Sequence, residues 1–273
     1  MKLGVYLRNM GPASNRDTLL ECARAADAAR IDELWVADHV AIPPDDAEGS
    51  NGRYLDPLAT LAFLAGVTEH VALGTGVLVL PYRPALATAK WVATIQELSR
   101  GRLLLGVGAG WMAAEFRALG VDLRRRGAIT DATLEFLDRC FAADEVEVNG
   151  QRFLFRPRPA RPPIFVGGAA PHALRRAVSY GDGWMPTGGD PRMLGPAIVE
   201  LRALAKAAGK PPPEVVAITS LALDSPRSAV ESVRELAAAG VTRVVHAWRY
   251  QSAGEFRRVV DAIAEHVRPA LDA

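Results

Sequence analysis

The sequence contains little cysteine and no excess of one charge. The two cysteines, Cys22 and Cys140, have no second cysteine or histidine at ligand spacing. Neither a CxxC redox motif nor a zinc site is therefore indicated, no metal is predicted, and both thiols are expected to be small buried groups. Lys plus Arg number 32 against 31 Asp plus Glu, a net charge of +1. This balance excludes a global field that would recruit nucleic acid, an anionic membrane or an acidic protein.

Long apolar runs and hydrolase motifs are also missing. No apolar stretch reaches membrane-spanning length, and the opening MKLGVYLRNMGP has too short an apolar run for a secretory signal. No GxSxG motif occurs, and no paired carboxylates close a predicted strand. We therefore expect a cytoplasmic protein that acts on a small molecule by chemistry other than hydrolysis.

What the sequence has instead is an alternation of strand and helix patterns. Helical patterns such as Leu58, Leu61, Ala62 and Ala65 separate the strand-like runs, and Asp56-Pro57 predicts a helix start. The strand-like runs number eight and lie at 2–8, 33–39, 71–80, 102–108, 163–168, 183–187, 214–223 and 243–249. The pattern predicts a (β/α)8 TIM barrel, with residues 1–273 as one domain; a doubly wound sheet is the alternative.

Two segments depart from the alternation. Residues 144–163 hold two short alternating runs around Asn149-Gly150, which predicts a β-hairpin before the fifth barrel strand. Residues 40–55 form a loop rich in Pro, Gly and Asp, which is typical of a mobile lid over a pocket.

The ends of the predicted strands contain glycines and one candidate acid–base group. In such a barrel, catalytic residues lie at the C-terminal ends of the strands. His39 is the histidine there that is free for proton transfer. Glycines end strands three, four and five, which suits a flat ligand close to the backbone. Gly167-Gly168 precede a helix start that predicts either a phosphate site or a plain turn.

Several blocks of the sequence resemble one family in its order: ELWVADHV, DPLATLAFLAGVTEHVALGTGVLVLPYRPALATAK, QELSRGRLLLGVGAGWMAAEFRALG, RRGAITDATLEFLDRCF, RPPIFVGGAAPHALRRAVSYGDGWMPTG and ELAAAGVTRVV. The chain resembles the bacterial luciferase-like flavin and deazaflavin oxidoreductases, in particular the branch that uses coenzyme F420. That resemblance implies a third strand ending in a bulge with a cis peptide bond, here Gly76-Val77.

The resemblance also implies a set of site residues. His39 would be catalytic, giving or taking the proton that accompanies hydride movement, or else orienting the substrate. The residues that would bind the cofactor are Asp38, Thr75, Gly76, Val77, Gly108, Gly110, Gly167, Gly168 and Thr187. The substrate pocket would include Arg8, Trp111 and Trp248.

Three positions need interpretation beside that resemblance. Trp111 stands where some sugar-phosphate dehydrogenases of the family have an acidic glutamate, which argues against sugar-phosphate oxidation. Glu115, one helical turn later, either reaches the pocket or is an exposed surface residue, and the exposed position is the favoured interpretation. The cluster Arg124–Arg126 either begins a solvated helix, the favoured interpretation, or pairs with the anionic tail of a deazaflavin.

Three functions remain open from the sequence. The first is an oxidoreductase that passes hydride between F420 and a small organic substrate. The second is an FMN-dependent monooxygenase that works with a separate flavin reductase. The third is a barrel that binds flavin without turnover. The resemblance further implies a homodimer packed through barrel helices.

Overall fold

Parallel strands form a closed ring in a computed structural model that describes residues 1–272. The ring runs in the order β1-β2-β3-β5-β8-β9-β10-β11 and closes by pairing β11 with β1. The strands are β1 (Lys2–Tyr6), β2 (Glu33–Val36), β3 (Ala72–Thr75), β4 (Leu78–Val79), β5 (Leu103–Gly108), β6 (Glu145–Val148), β7 (Gln151–Leu154), β8 (Ile164–Gly167), β9 (Gly183–Met185), β10 (Glu214–Thr219) and β11 (Arg243–His246). The predicted (β/α)8 barrel is confirmed.

Helices follow the ring strands and cover the outside of the barrel. They are α1 (Arg16–Ala28), α2 (Pro57–Ala65), α3 (Ala85–Leu98), α4 (Ala113–Ala118), α5 (Arg126–Ala142), α6 (His172–Tyr180), α7 (Pro191–Ala207), α8 (Pro226–Ala239), α9 (Ala253–Ala262) and α10 (Arg268–Asp272). The Asp56 carboxylate accepts from the Ala59 amide at 2.9 Å, directly before Pro57 at the first helical position. The predicted cap therefore starts α2.

The inside of the ring is filled by side chains. Trp35 lies fully buried there and packs edge to face against Phe165, with ring centroids 5.9 Å apart. A Cβ at Gly74 would lie 2.4 Å from the Trp35 ring, so Gly74 makes room for this indole. The Trp35 indole nitrogen donates to Glu33 at 2.9 Å. The barrel interior is thus a packed core, and space for a ligand is left at the mouth.

The third strand is interrupted by a bulge, at the place that the family resemblance implied. β3 ends at Thr75 and the chain resumes pairing at Leu78, and the intervening Gly76-Val77 peptide bond is cis. The Val77 side chain lies 2.7 Å from a Cβ built at Gly108 and 2.8 Å from one at Gly167. The glycines at the ends of β5 and β8 therefore admit the Val77 side chain, a contact that the sequence did not predict.

The predicted hairpin is present outside the ring. β6 and β7 pair antiparallel with Val148 opposite Gln151, and Asn149 and Gly150 form the turn with φ of 51° and 75°. Two successive residues with positive φ are the geometry that an Asn-Gly turn favours. Within residues 1–272, no helix has the length and apolar character needed to cross a membrane.

Candidate active site

A cavity of about 780 Å³, here called the mouth cavity, lies at the C-terminal ends of the strands. Of the residues predicted for the site, its lining includes Asp38, His39, Gly76, Val77, Gly108, Gly110, Trp111, Gly167, Gly168 and Thr187. These positions are far apart in the sequence and converge because parallel strands bring their carboxyl ends to one face of the barrel.

Three predicted residues lie away from the mouth cavity. Thr75 is buried in β3, where its hydroxyl donates to the Gly106 carbonyl at 2.7 Å, so it fastens two strands together. Trp248 stacks between His246 and Phe256, with centroid distances of 4.7 and 5.2 Å. Arg8 lines a separate, neighbouring cavity. The structure therefore does not bring Thr75, Trp248 or Arg8 to the mouth cavity.

His39 is held in place on one side of the mouth cavity. Its Nδ1 lies 2.9 Å from Glu115 Oε2, and its ring contacts Tyr54 at 4.9 Å and Trp111 at 6.3 Å between centroids. The histidine was predicted from its position after a strand. The sequence did not predict that Glu115 orients it.

Glu115 is fully buried, so its prediction as an exposed helix residue was wrong. Its Oε2 accepts from the Tyr82 hydroxyl at 2.6 Å, and its Oε1 accepts from the amides of Val40 and Ala41 at 2.6 and 3.0 Å. Burial raises the pKa of this carboxyl, but the hydrogen bonds from Tyr82, Ala41 and Val40 outweigh that effect and lower it. Glu115 is therefore an ionised carboxylate at neutral pH.

The ionised Glu115 carboxylate determines which ring nitrogen of His39 carries a proton. Because the Glu115 carboxylate can only accept, Nδ1 of His39 carries the proton, and Nε2 is the nitrogen left to exchange a proton in the cavity. The geometry is that of a carboxylate–imidazole pair suited to acid–base work.

Asp38 has a structural role beside the mouth cavity. Its two oxygens accept from Arg83 at 2.6 and 2.8 Å, and Oδ2 also accepts from the Val79 amide at 2.8 Å. Arg83 reaches Asp56 as well, at 2.7 Å, and these two carboxylates raise its pKa although burial opposes the charge. This buried ion pair fastens the end of β2 to the chain just after the Gly76-Val77 bulge.

One end of the mouth cavity, here called the cationic end, is lined by basic side chains. Arg126, His172 and Arg176 line it next to Gly168. Arg176 pairs with Asp131 at 2.5 Å, and Arg126 donates to the Gly110 carbonyl at 2.6 Å. Among the described residues, the amides of Ala169 and Ala170 have no protein acceptor. These amides and the start of α6 suit an anionic group.

The arginine cluster divides between surface and site. Arg124 is largely exposed and pairs with Asp122 at 3.2 Å, as expected for a solvated helix start. Arg126, two residues later, reaches the mouth cavity. In the part of the chain that the structure describes, no group of three or more His, Cys, Asp or Glu side chains is arranged to hold a metal ion.

Known proteins are similar to this chain in sequence and in fold. The chain is 28% identical over 225 residues to a 5,10-methylenetetrahydromethanopterin reductase of Methanolobus tindarius, covering 80% of this chain and 65% of that one. A solved F420-dependent secondary alcohol dehydrogenase in complex with an F420-acetone adduct superposes with a TM-score of 0.80 at 17% identity, covering 99% and 98% of the two chains.

An FMN-binding structure is equally similar in fold. The oxygenating constituent of 3,6-diketocamphane monooxygenase from Pseudomonas putida, in complex with FMN, superposes with a TM-score of 0.81 at 13% identity, and the match covers 98% of each chain. The profile of one family, described as luciferase-like monooxygenase, matches residues 1–269. The closed barrel with a cavity at its mouth and this end-to-end match lead to one conclusion: the chain belongs to the luciferase-like monooxygenase family.

Proposed function

We propose that this protein is an oxidoreductase that binds coenzyme F420 and passes hydride between it and a small organic substrate. The observation that carries the proposal is the His39–Glu115 pair, a histidine held by a buried ionised carboxylate at the edge of a cavity of about 780 Å³. Such a pair is suited to the proton transfer that accompanies hydride transfer.

The residues of the mouth cavity fit the ring of such a cofactor. The Val77 side chain packs against Gly108 and Gly167 so closely that a Cβ at either glycine would overlap with it. This side chain forms the apolar floor of the cavity. Tyr6, Met185 and Ile218 continue that apolar surface along the wall. Together they would hold a flat ring, with its position set by the protein and its chemistry supplied by the ring.

The cationic end fits an anionic tail. The amides near Gly168, with Arg126, His172 and Thr187, would hold the phosphate end. Asp38 contributes by fastening the bulged strand rather than by touching the ring. Thr75 contributes in the same indirect way.

The acid–base work falls to His39. A bound deazaflavin supplies two-electron hydride chemistry. His39 Nε2 then gives or takes the proton at the reacting oxygen or nitrogen of the substrate, while Glu115 keeps Nδ1 protonated. Tyr54 and Trp111 flank the imidazole and reduce its contact with water.

Titration of the apoprotein with F420 and with FMN, followed by fluorescence quenching, tests the cofactor. We expect micromolar or tighter binding of F420. Tight binding of FMN without F420 would instead favour an FMN-dependent monooxygenase supplied by a separate reductase. His39→Ala is expected to retain F420 binding and lose about 10²-fold or more in turnover. Full turnover by this variant would show that His39 takes no part in the mechanism. If the wild type binds cofactor but shows no turnover, the protein would instead be a barrel that binds flavin without catalysis.

We also propose a homodimer packed through the outer face of α3. Three large apolar side chains are exposed on that helix, Leu86 at 41%, Trp91 at 45% and Leu98 at 59%. Trp91 and Leu98 are seven positions apart and form an apolar stripe on one face of the helix, opposite the buried Ala89 and Gln96. An apolar stripe of this kind is typical of a surface that is covered by another copy.

A further inference from the structure

A second cavity, here called the side cavity, has a volume of about 490 Å³ and lies next to the mouth cavity. Its walls come from Arg8 after β1, from residues 44–51 of the loop after β2 and from Tyr250 after β11. The two cavities are neighbours, because Met10 and Tyr54 line the mouth cavity and pair with each other through a backbone bridge beside Arg8. The function proposed above does not use the side cavity.

The guanidinium of Arg8 lines the side cavity and has few hydrogen-bond partners. Its backbone amide donates to the Tyr250 hydroxyl at 2.9 Å, which fixes the base of the side chain. Its Nη2 donates to the Gly49 carbonyl at a long 3.3 Å, and its Nε is buried without a hydrogen-bond partner. No carboxylate in residues 1–272 forms an ion pair with it. A buried donor left unpaired calls for a ligand or water to satisfy it.

Arg249 adds a second cation at the same place. Its guanidinium lies 3.6 Å from the Cβ position of Gly49, on the loop segment that Arg8 also contacts. Like Arg8, it has no ion-pair partner among the described carboxylates. Glu48 is the acid that lines the side cavity; it is exposed and pairs with neither arginine. Arg249 also lines a different cavity together with Asp224 and Glu255, so Arg8 is the main cation of the side cavity and Arg249 adds charge near Gly49.

We propose that the side cavity binds an oxyanion, a carboxylate or a phosphate, carried by the organic substrate. The inference rests on the proposed function, since it treats the side cavity as an extension of the substrate site. The planar guanidinium of Arg8 matches two oxygens of such a group, and Arg249 adds charge from the rim. Pro12, Ala13 and Tyr250 provide apolar walls for the adjoining carbon skeleton. The reacting part of the substrate then extends past Met10 and Tyr54 to His39.

Calorimetric titration of the purified protein with simple probes tests the site. Benzoate and phenyl phosphate carry the oxyanion, benzyl alcohol is the neutral counterpart, and inorganic phosphate is the free ion. We expect at least one of the two organic anions to bind 10-fold or more tightly than benzyl alcohol and inorganic phosphate. Equal binding of the organic anions and benzyl alcohol would overturn the proposal. Binding of inorganic phosphate as tight as that of the organic anions would also overturn it, because the site would then recognise a free ion.

Variants connect the effect to Arg8. Arg8→Met is expected to lose the preference for the anion by about 10-fold or more, and Arg8→Lys to recover part of it. Arg227→Met, which removes an exposed arginine of α8, is the matched control and should bind as the wild type does. An anion preference that survives in Arg8→Met, with an unchanged circular dichroism spectrum, would contradict the assignment.

The two proposals fail separately. F420 affinity, measured on the same samples, reports the mouth cavity and should be equal in wild type and Arg8→Met. F420 binding without an anion preference would reject the side cavity alone. An anion preference without F420 binding would reject the proposed cofactor alone.

Discussion

Glu115 acts on the site through His39 and not by contact with a substrate. It receives hydrogen bonds from Tyr82 and from the amides of Val40 and Ala41, which leave its Oε2 fixed against the imidazole. Removing its charge while keeping its shape therefore separates orientation from electrostatics. The residue is a positioning residue for the proposed acid–base step.

We expect Glu115→Gln to lower kcat by about 10- to 100-fold, the usual effect of losing a partner of this kind. KM should change by no more than about twofold, because Glu115 does not line the mouth cavity. F420 affinity, measured by fluorescence, should also stay within about twofold. Tyr82→Phe, which removes one donor to the same carboxylate, is the milder control. An unchanged kcat in Glu115→Gln would show that the carboxylate is merely structural.

At the scale of residues, the sequence predicted groups by their place after strands. His39 and Thr187 end predicted strands, Gly76 lies within the run 71–80, and all three line the mouth cavity. Glu115 could not be found this way, because its partner His39 lies 76 residues earlier in the chain. Its burial comes from loop amides that cover it, and no local periodicity records that contact.

At the scale of elements, the bulge after β3 and the glycines of β5 and β8 form one packing unit. Gly108→Ala would place a Cβ 2.7 Å from Val77, so we expect it to lower the free energy of unfolding by about 1–3 kcal/mol. Val77→Ala in the same chain should recover part of that loss. A double-mutant cycle in urea measures the coupling.

Gly195→Ala provides the matched control for that cycle. Gly195 lies within α7 and a Cβ there would meet nothing within 4 Å. Alanine is therefore expected to change the free energy of unfolding by less than about 1 kcal/mol, because its helix preference is opposed by crowding between its Cβ and the ring of Pro196. Additive effects of Gly108→Ala and Val77→Ala would mean that the two residues are not in contact.

Local turn chemistry made some elements predictable and left others hidden. Asn149-Gly150 predicted the hairpin because both residues tolerate positive φ. The run 71–80 appeared as one strand, whereas pairing stops at Thr75 and restarts at Leu78. The cause is the seating of Val77 against strands that follow much later in the chain, which composition alone does not reveal.

At the scale of the whole molecule, ring closure places His246 in a dry environment. It lies in β11, which pairs with both β1 and β10, and its Nδ1 accepts from the Leu221 amide at 2.9 Å. Burial lowers its pKa to about 4. In the unfolded chain this histidine binds a proton near pH 6.5, whereas in the folded chain it does so only near pH 4. The free energy of unfolding should therefore fall as the pH decreases from about 6.5 to about 4.

The expected loss from this histidine is on the order of 3 kcal/mol between pH 7 and pH 4. Urea unfolding at several pH values measures it. His246→Asn should flatten this part of the pH dependence, and His266→Asn, an exposed histidine, should leave it as in the wild type. An equally steep dependence in His246→Asn would assign the loss to other groups.

The proposed dimer is tested at the same scale. Light scattering after gel filtration should give twice the chain mass of 29.2 kDa. Trp91→Glu, which places a charge in the apolar stripe of α3, should shift the protein to the monomer. Val199→Glu alters a residue of α7 that is 69% exposed and should leave the dimer intact. A monomeric wild type would reject the assignment.

The anchoring of Val40 and Ala41 by Glu115 has a practical consequence for engineering. The first two residues of the loop after β2 are tied to the carboxylate that orients the imidazole, while the following stretch, 43–52, makes no hydrogen bond to it among the described residues. That stretch can therefore be exchanged for the corresponding loops of relatives. Replacing the residues between Ala41 and Arg53 should change substrate specificity and leave the contact between His39 and Glu115 intact.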